Sequence, residues 1–154
     1  MALANAGCTV EAVCPHGHPV VKTSAVSKTH IYRGLAPLKS FKAAIVASNP
    51  DLIVPADDLA TRHLHDLHRH GRRKGNAGAL ICALIERSLG PAESFPVVFA
   101  RSTFMEAAQQ EGIRVPKTGV VENIADLRKQ AARLGFPLVL KANGTSGGDG
   151  VKIV

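Results

Sequence analysis

Aromatic side chains are scarce in this chain, which has no Trp, one Tyr and five Phe among 154 residues. Its core must therefore be built mainly from Leu, Ile, Val and Ala. Cysteine is scarce too. Cys8, Cys14 and Cys82 are odd in number, and no two stand at metal-ligand spacing. That argues for free thiols in a reducing compartment and against a disulfide framework. No apolar run approaches the ~18 residues of a membrane-spanning helix. The first residues lack the basic region and apolar stretch of a signal peptide, so the expectation is a cytoplasmic protein with no membrane partner. Acidic residues are outnumbered, 12 against 19 basic, for a net charge of +7. The excess favours anionic ligands without choosing among ATP, acidic metabolites and nucleic acid. Part of it sits in one run, Arg72, Arg73 and Lys74.

What remains is ordinary globular material, 45% hydrophobic and 20% charged, long enough for one domain or two small ones. Residues 9–14 read as a short strand, followed by a polar loop that takes in "HGHP" and "SAVSKTH". Leu38, Phe41 and Ile45 then recur at helical spacing behind Pro37. "LIVP", residues 52–55, reads as a compact buried strand. Asp57 and Asp58 are suited to cap the next helix, whose apolar stripe is Ala60, Leu64 and Leu67. A basic, glycine-containing loop is expected over 71–78, then a helix with Leu80, Ile81, Leu84 and Ile85 on one face. Strand and helix alternate, which points to a parallel sheet with helices packed on it. The opening "MALANAG" resembles the last turns of a helix, so the expectation is that a first strand is missing before it.

The Gly-, Pro- and Ser-rich stretch 88–96 marks a boundary, placing domains at 1–94 and 95–154. Beyond it, residues 97–99 read as a short strand. A helix follows with Phe104, Met105 and Ala108 inward and Gly112 just past its end. Asn123 caps a helix carrying Ile124, Leu127, Ala131 and Leu134, with Asp126 favouring its positive start and Gly135 ending it. Residues 136–141 form a strand that closes on Lys141.

The run "KANGTSGGDG", residues 141–150, carries the chemistry. Gly144, Gly147, Gly148 and Gly150 are separated by Thr145, Ser146 and Asp149. An apolar run, not a helix, follows, so the loop joins two strands as a hairpin and is not a dinucleotide fingerprint. Such a loop can fold over phosphates and offer backbone N–H groups to them. By strand alternation Leu138 and Leu140 share one face, Val139 and Lys141 the other. Lys141 there would act as a point charge for phosphate.

These features in this order, over 100–154, resemble the opening half of an ATP-grasp domain, the superfamily of carboxylate–amine ligases, biotin carboxylase and carbamoyl phosphate synthetase. The matching steps are a basic residue opening a helix, a "G-x-x-x-P" turn, a capped helix ending in "LG-aromatic-P", a strand closing on lysine, and a glycine loop. The resemblance implies an α/β protein with a Rossmann-like pre-ATP-grasp domain before a small α+β N-terminal lobe. It places Arg101 and Lys141 at the two ATP-contacting basic positions. It makes Gly144, Thr145, Ser146, Gly147, Gly148 and Gly150 part of the loop that closes over the β- and γ-phosphates. The implied reaction is ATP-dependent ligation, in which a carboxylate becomes an acyl phosphate that an amine or other nucleophile displaces. Cofactors would be ATP and Mg²⁺. The metal and adenine contacts of the family lie in a second lobe, so this chain alone is expected to show no turnover. Asp149 departs from the family's longer glycine run and is unfavourable beside phosphate unless a metal or Arg intervenes. "DLIVPADD" is similar to a segment of the preceding domain, making Asp57 and Asp58 candidate substrate contacts as well as caps.

His63, His65, His68 and His70 crowd one helix without the i, i+4 spacing of a helical metal pair. They read as a solvated polar face, and "HGH" at 16–18 as a loop. The basic run 69–75 lacks interleaved aromatics and reads as a solvated loop. A non-catalytic nucleotide-binding or scaffold module stays open as an alternative, as does a nucleic-acid binder using Arg72 and its neighbours. A homodimer is also left open.

Overall fold

The computed structural model describes residues 2–72, 75–145 and 149–154, with the side chains of all of them except Phe99 and Arg101. The chain divides into two compact units, Met1–Gly90 and Pro91–Val154.

In the first unit a short helix α1 (Ala2–Asn5) leads to β1 (Glu11–Cys14), a 3-10 turn (Pro19–Lys22) and β2 (Lys28–Ile31). β1 and β2 pair in parallel, with Glu11 opposite Lys28 and Cys14 opposite Ile31. The segment of β2 was expected to be polar loop. Its Lys-Thr-His-Ile sequence shows no apolar alternation, but the ladder and a 2.6 Å contact from His30 Nε2 to Glu11 Oε2 hold it extended. Helix α2 (Pro37–Ser48) begins at the expected proline, buries Phe41, Ala44 and Ile45, and ends at Asn49, whose left-handed φ of 42° closes its last turn.

Helix α3 (Asp58–Gly71) is capped by Asp57, whose Oδ1 accepts from Ala60 N–H at 2.6 Å. Its seam onto α4 (Gly75–Leu89) holds Leu64 and Ile85, both fully buried. Burial of that kind is worth roughly 1.5–3 kcal/mol per side chain. The two helices approach closely near their connection, because a Cβ at Gly71 would lie 2.9 Å from Cys82 Sγ.

Four expectations for this unit are corrected. His65 and His68, read as part of a solvated face, are buried at 5% and 3% exposure. Residue type alone suggested water, yet i, i+3 spacing puts both beside Leu64 and Leu67 on the buried stripe. The loop expected over 71–78 is largely helix, since α3 runs to Gly71 and α4 starts at Gly75. Leu80 is exposed, because the buried seam runs through Gly78, Ile81, Cys82 and Ile85 and turns Leu80 away. Residues 52–55 form no strand, and Leu52 and Val54 are exposed. Their anchor is the Ile53 N–H donating to Ser88 Oγ at 3.0 Å, a side-chain tether where a ladder was expected.

In the second unit a 3-10 turn (Ala92–Ser94) runs into α5 (Phe95–Phe99) and α6 (Arg101–Gln110). Residues 97–99 are therefore helical, where a strand was expected. Pro96 lies in the first turn, where its missing N–H is harmless and its fixed φ suits a helix. Helix α7 (Ile124–Leu134) precedes β3 (Val139–Lys141) and β4 (Val151–Ile153), which pair antiparallel. Phe104, expected inward, is exposed at 53%, and Ile124 at the start of α7 is exposed too. The molecule is thus α/β, with a small parallel sheet in one unit and a small antiparallel sheet in the other.

Candidate functional site

The hairpin β3–β4 positions the sequence-predicted phosphate group. Val139 stands opposite Ile153, Leu140 opposite Lys152 and Lys141 opposite Val151. Leu138 and Val154 exchange both backbone bonds, at 2.7 and 2.9 Å, and the Ala142 N–H donates to Gly150 O at 2.9 Å. Directly opposed residues share a face. Lys141 therefore shares its face with Val139, Val151 and Ile153, all exposed apolar side chains. Leu138 and Leu140, on the other face, are only half exposed. Sequence alternation anticipated Val139 beside Lys141. Val151 and Ile153 join them only through the register, which alternation in "VKIV" hints at without specifying.

The described parts of the loop are closely tied at its two feet. Thr145 Oγ1 donates to Ala142 O at 2.9 Å. Gly144 and Gly150 adopt φ of 71° and 67°, the left-handed region open to glycine. Asp149 is exposed, as is Lys141. Ser146, Gly147 and Gly148 lie outside the described residues, as do Arg73 and Lys74 of the basic run.

Upstream, Asn123 Oδ1 accepts the Asp126 N–H at 2.9 Å while Asp126 Oδ2 accepts from Asn123 Nδ2 at 2.8 Å, a reciprocal cap at the start of α7. Gly135 closes that helix at φ 77°. Arg133 reaches back to the preceding extended segment, donating from Nη2 to Thr118 O at 2.7 Å and from Nε to Gln130 Oε1 at 2.9 Å. Arg101 is the first residue of α6, with its side chain outside the description. Asp57 and Asp58 open α3 in the other unit, with the Asp57 carboxylate engaged in its cap. Among the described residues no group of three or more His, Cys, Asp and Glu is placed to hold a metal ion.

Chemically, the hairpin offers an ammonium at the edge of an apolar face, next to a glycine connection with positive-φ feet. That combination suits a ligand with a flat apolar part and a polyanionic part. The comparisons with known proteins bear on which. Residues 100–154 match the family described as carbamoyl-phosphate synthase L chain, ATP binding domain. The carbamoyl phosphate synthase large chain of Rubrobacter xylanophilus is 38% identical over 50 residues, which are 32% of this chain. The match spans 5% of that relative's length. The carboxyl-terminal segment of this chain, residues 100–154, is thus similar to an ATP-binding domain of the ATP-grasp kind.

Proposed function

We propose that residues 91–154 hold the triphosphate of ATP as one lobe of an ATP-grasp ligase, with the first unit as its Rossmann-like companion domain. The observation that carries this reading is the placement of Lys141 at the loop end of β3, on a face completed by exposed Val139, Val151 and Ile153. The apolar face would meet the nucleotide's flat surface. The Lys141 ammonium would neutralise phosphate charge, and Arg101 at the start of α6 would add a second positive group. Backbone N–H groups of the loop, including Gly144 and Thr145, would wrap the β- and γ-phosphates.

The reaction class is carboxylate activation. A carboxylate oxygen attacks the γ-phosphorus, ADP leaves, and an amine or other nucleophile then displaces phosphate from the acyl phosphate. The residues named here contribute positioning and charge neutralisation, which dominate phosphoryl transfer. Asp57 and Asp58 stand as candidate substrate contacts, Asp58 with the freer geometry because Asp57 caps α3.

The test is a titration of the full chain with ATP, compared with Lys141→Ala. Loss of the ammonium is expected to weaken binding about tenfold, near 1.4 kcal/mol, with the far-ultraviolet circular dichroism unchanged. An identical dissociation constant in both proteins refutes the assignment.

A further inference from the structure

Helix α7 carries the chain into β3 and so to Lys141. None of its side chains is buried, so apolar packing holds it weakly. Its starting cap of Asn123 and Asp126 closes on itself and reaches back only to the Glu122 N–H. Among the described hydrogen bonds, the tie from α7 to more distant chain is made at its last turn. There Arg133 donates from Nη2 to Thr118 O and from Nε to Gln130 Oε1. Both donors lie in one rigid guanidinium plane. Gln130 therefore sets the angle at which that plane meets the Thr118 carbonyl.

Gln130 is seated in turn by Gly119. A Cβ at Gly119 would overlap the Gln130 side-chain amide. Gly119 is not among the glycines with positive φ, so space, not conformation, reserves the position for glycine. The overlapped atoms are the far end of a flexible side chain. An added methyl would push that amide aside and take an acceptor from Arg133. Two adjacent residues thus receive α7, Thr118 through its carbonyl and Gly119 through the side chain it lacks.

This strap lies between the two cationic positions of the ligase reading. Thr118 follows α6, which Arg101 opens, and Arg133 precedes β3, which Lys141 closes. Residues 134–138 are all that separate Arg133 from β3, and Leu138 is already bonded to Val154. A shift of α7 along the segment at 118–119 is therefore passed on to Lys141. Attraction between an ammonium and a phosphate falls with their separation, so such a shift changes affinity.

We propose that Arg133 is a positioning residue for nucleotide binding. Seated by Gln130 against Gly119, it locks α7 onto the segment that follows α6 and holds Lys141 in place relative to the start of α6. The inference rests on the nucleotide reading of residues 91–154.

The experiment measures ATP affinity of the full chain at constant Mg²⁺. The variants are Arg133→Ala, Gly119→Ala, Gln130→Ala, the Gly119→Ala/Gln130→Ala double, Lys141→Ala, and Arg133→Ala combined with Lys141→Ala. Arg133→Ala is expected to weaken binding by about three- to tenfold. Gly119→Ala, which removes no charge, should weaken it too. The Gly119→Ala/Gln130→Ala double should bind as Gln130→Ala does, because the overlap is gone. In the Lys141→Ala background Arg133→Ala should cost nothing further, since the residue it positions is absent. A merely structural strap would lower the urea midpoint and leave these dissociation constants unmoved. If Arg133→Ala loses its far-ultraviolet circular dichroism, Gly119→Ala and its double with Gln130→Ala decide. The same loss from Arg133→Ala with and without Lys141 overturns the proposal, because the arginine then acts by its own charge. If Lys141→Ala weakens binding while Arg133→Ala and Gly119→Ala leave it unchanged, this proposal alone falls. If Lys141→Ala leaves the affinity unchanged, the nucleotide reading falls and this proposal with it.

Discussion

Gly150 shows how much a single position can demand. Its φ of 67° disfavours any residue with a Cβ, and the space a Cβ would take is bounded by Ala142 Cβ at 3.0 Å and the Thr145 side chain at 3.1 Å. Gly135 has a similar φ of 77° but nothing within 4 Å of that space. Gly135→Ala should therefore cost the backbone strain alone, about 1–3 kcal/mol, since φ 77° with ψ 174° is a region open essentially to glycine. Gly150→Ala should cost that and a local clash besides. It is expected to unpair the loop end of β3 and β4, raising amide exchange at Ala142 and Val151 and weakening ATP binding. Equal destabilisation by the two substitutions, measured by denaturant unfolding, would contradict the packing argument. The glycine pattern was legible in the sequence because residue type is itself the signal. The wall around Gly150 was not, because Thr145 reaches it only once its hydroxyl has bonded back to Ala142 O.

Elements were legible where a cap and a stripe agreed. The helix of Ile124, Leu127, Ala131 and Leu134 appears with the cap, the acidic third position and the terminating glycine all in place. The strands at 52–55 and 97–99 failed because an apolar run of three or four residues carries no period, and its fate is decided by what lies nearby. Ser88 captures the first run, and Pro96 starts a helix through the second. The α3 histidines failed for the opposite reason: the spacing was read correctly and residue type was allowed to overrule it. Their burial has a measurable consequence. The pKa of His65 is lowered from its usual value by burial first, then by the neighbouring His68 and, less, by Arg69, with Asp66 opposing. The folded protein thus favours the neutral ring, while the unfolded chain takes up a proton near the ordinary value of about 6.5. Below that pH the unfolded state binds more protons, so stability is fully present above about pH 6.5 and falls as pH drops toward the lowered folded value. The urea midpoint should decrease between pH 8 and pH 5.5, and His65→Leu should flatten that slope. An unchanged slope in His65→Leu would place the acid sensitivity elsewhere.

On the scale of the whole chain, the two units differ in how much they bury. The first closes Leu64, Leu67, Ile81, Leu84 and Ile85 between α3 and α4. In the second, Phe95 is the one buried hydrophobic side chain among those described, while Phe104, Ile124, Val139 and Ile153 are exposed. Apolar burial is the main driving force for folding, so the second unit should be the weaker of the two. Its hairpin and capped helix are held by ladder bonds and local caps, interactions worth roughly 1 kcal/mol each. A ligand that binds only the folded form adds stability as its concentration exceeds its dissociation constant, about 2.7 kcal/mol at a hundredfold excess. Hydrogen exchange should then divide the molecule. Without nucleotide, amides of α3 and α4 should exchange slowly and those of α7, β3 and β4 quickly. Saturating ATP with Mg²⁺ should slow exchange across 136–154 and leave α3 and α4 as they were. Equal protection of both units in the absence of nucleotide would show that the exposed apolar faces of the second unit do not weaken it. Slowing confined to α3 and α4 would move the binding site to the first unit, where Asp58 and the basic connection after Gly71 would become the residues to test.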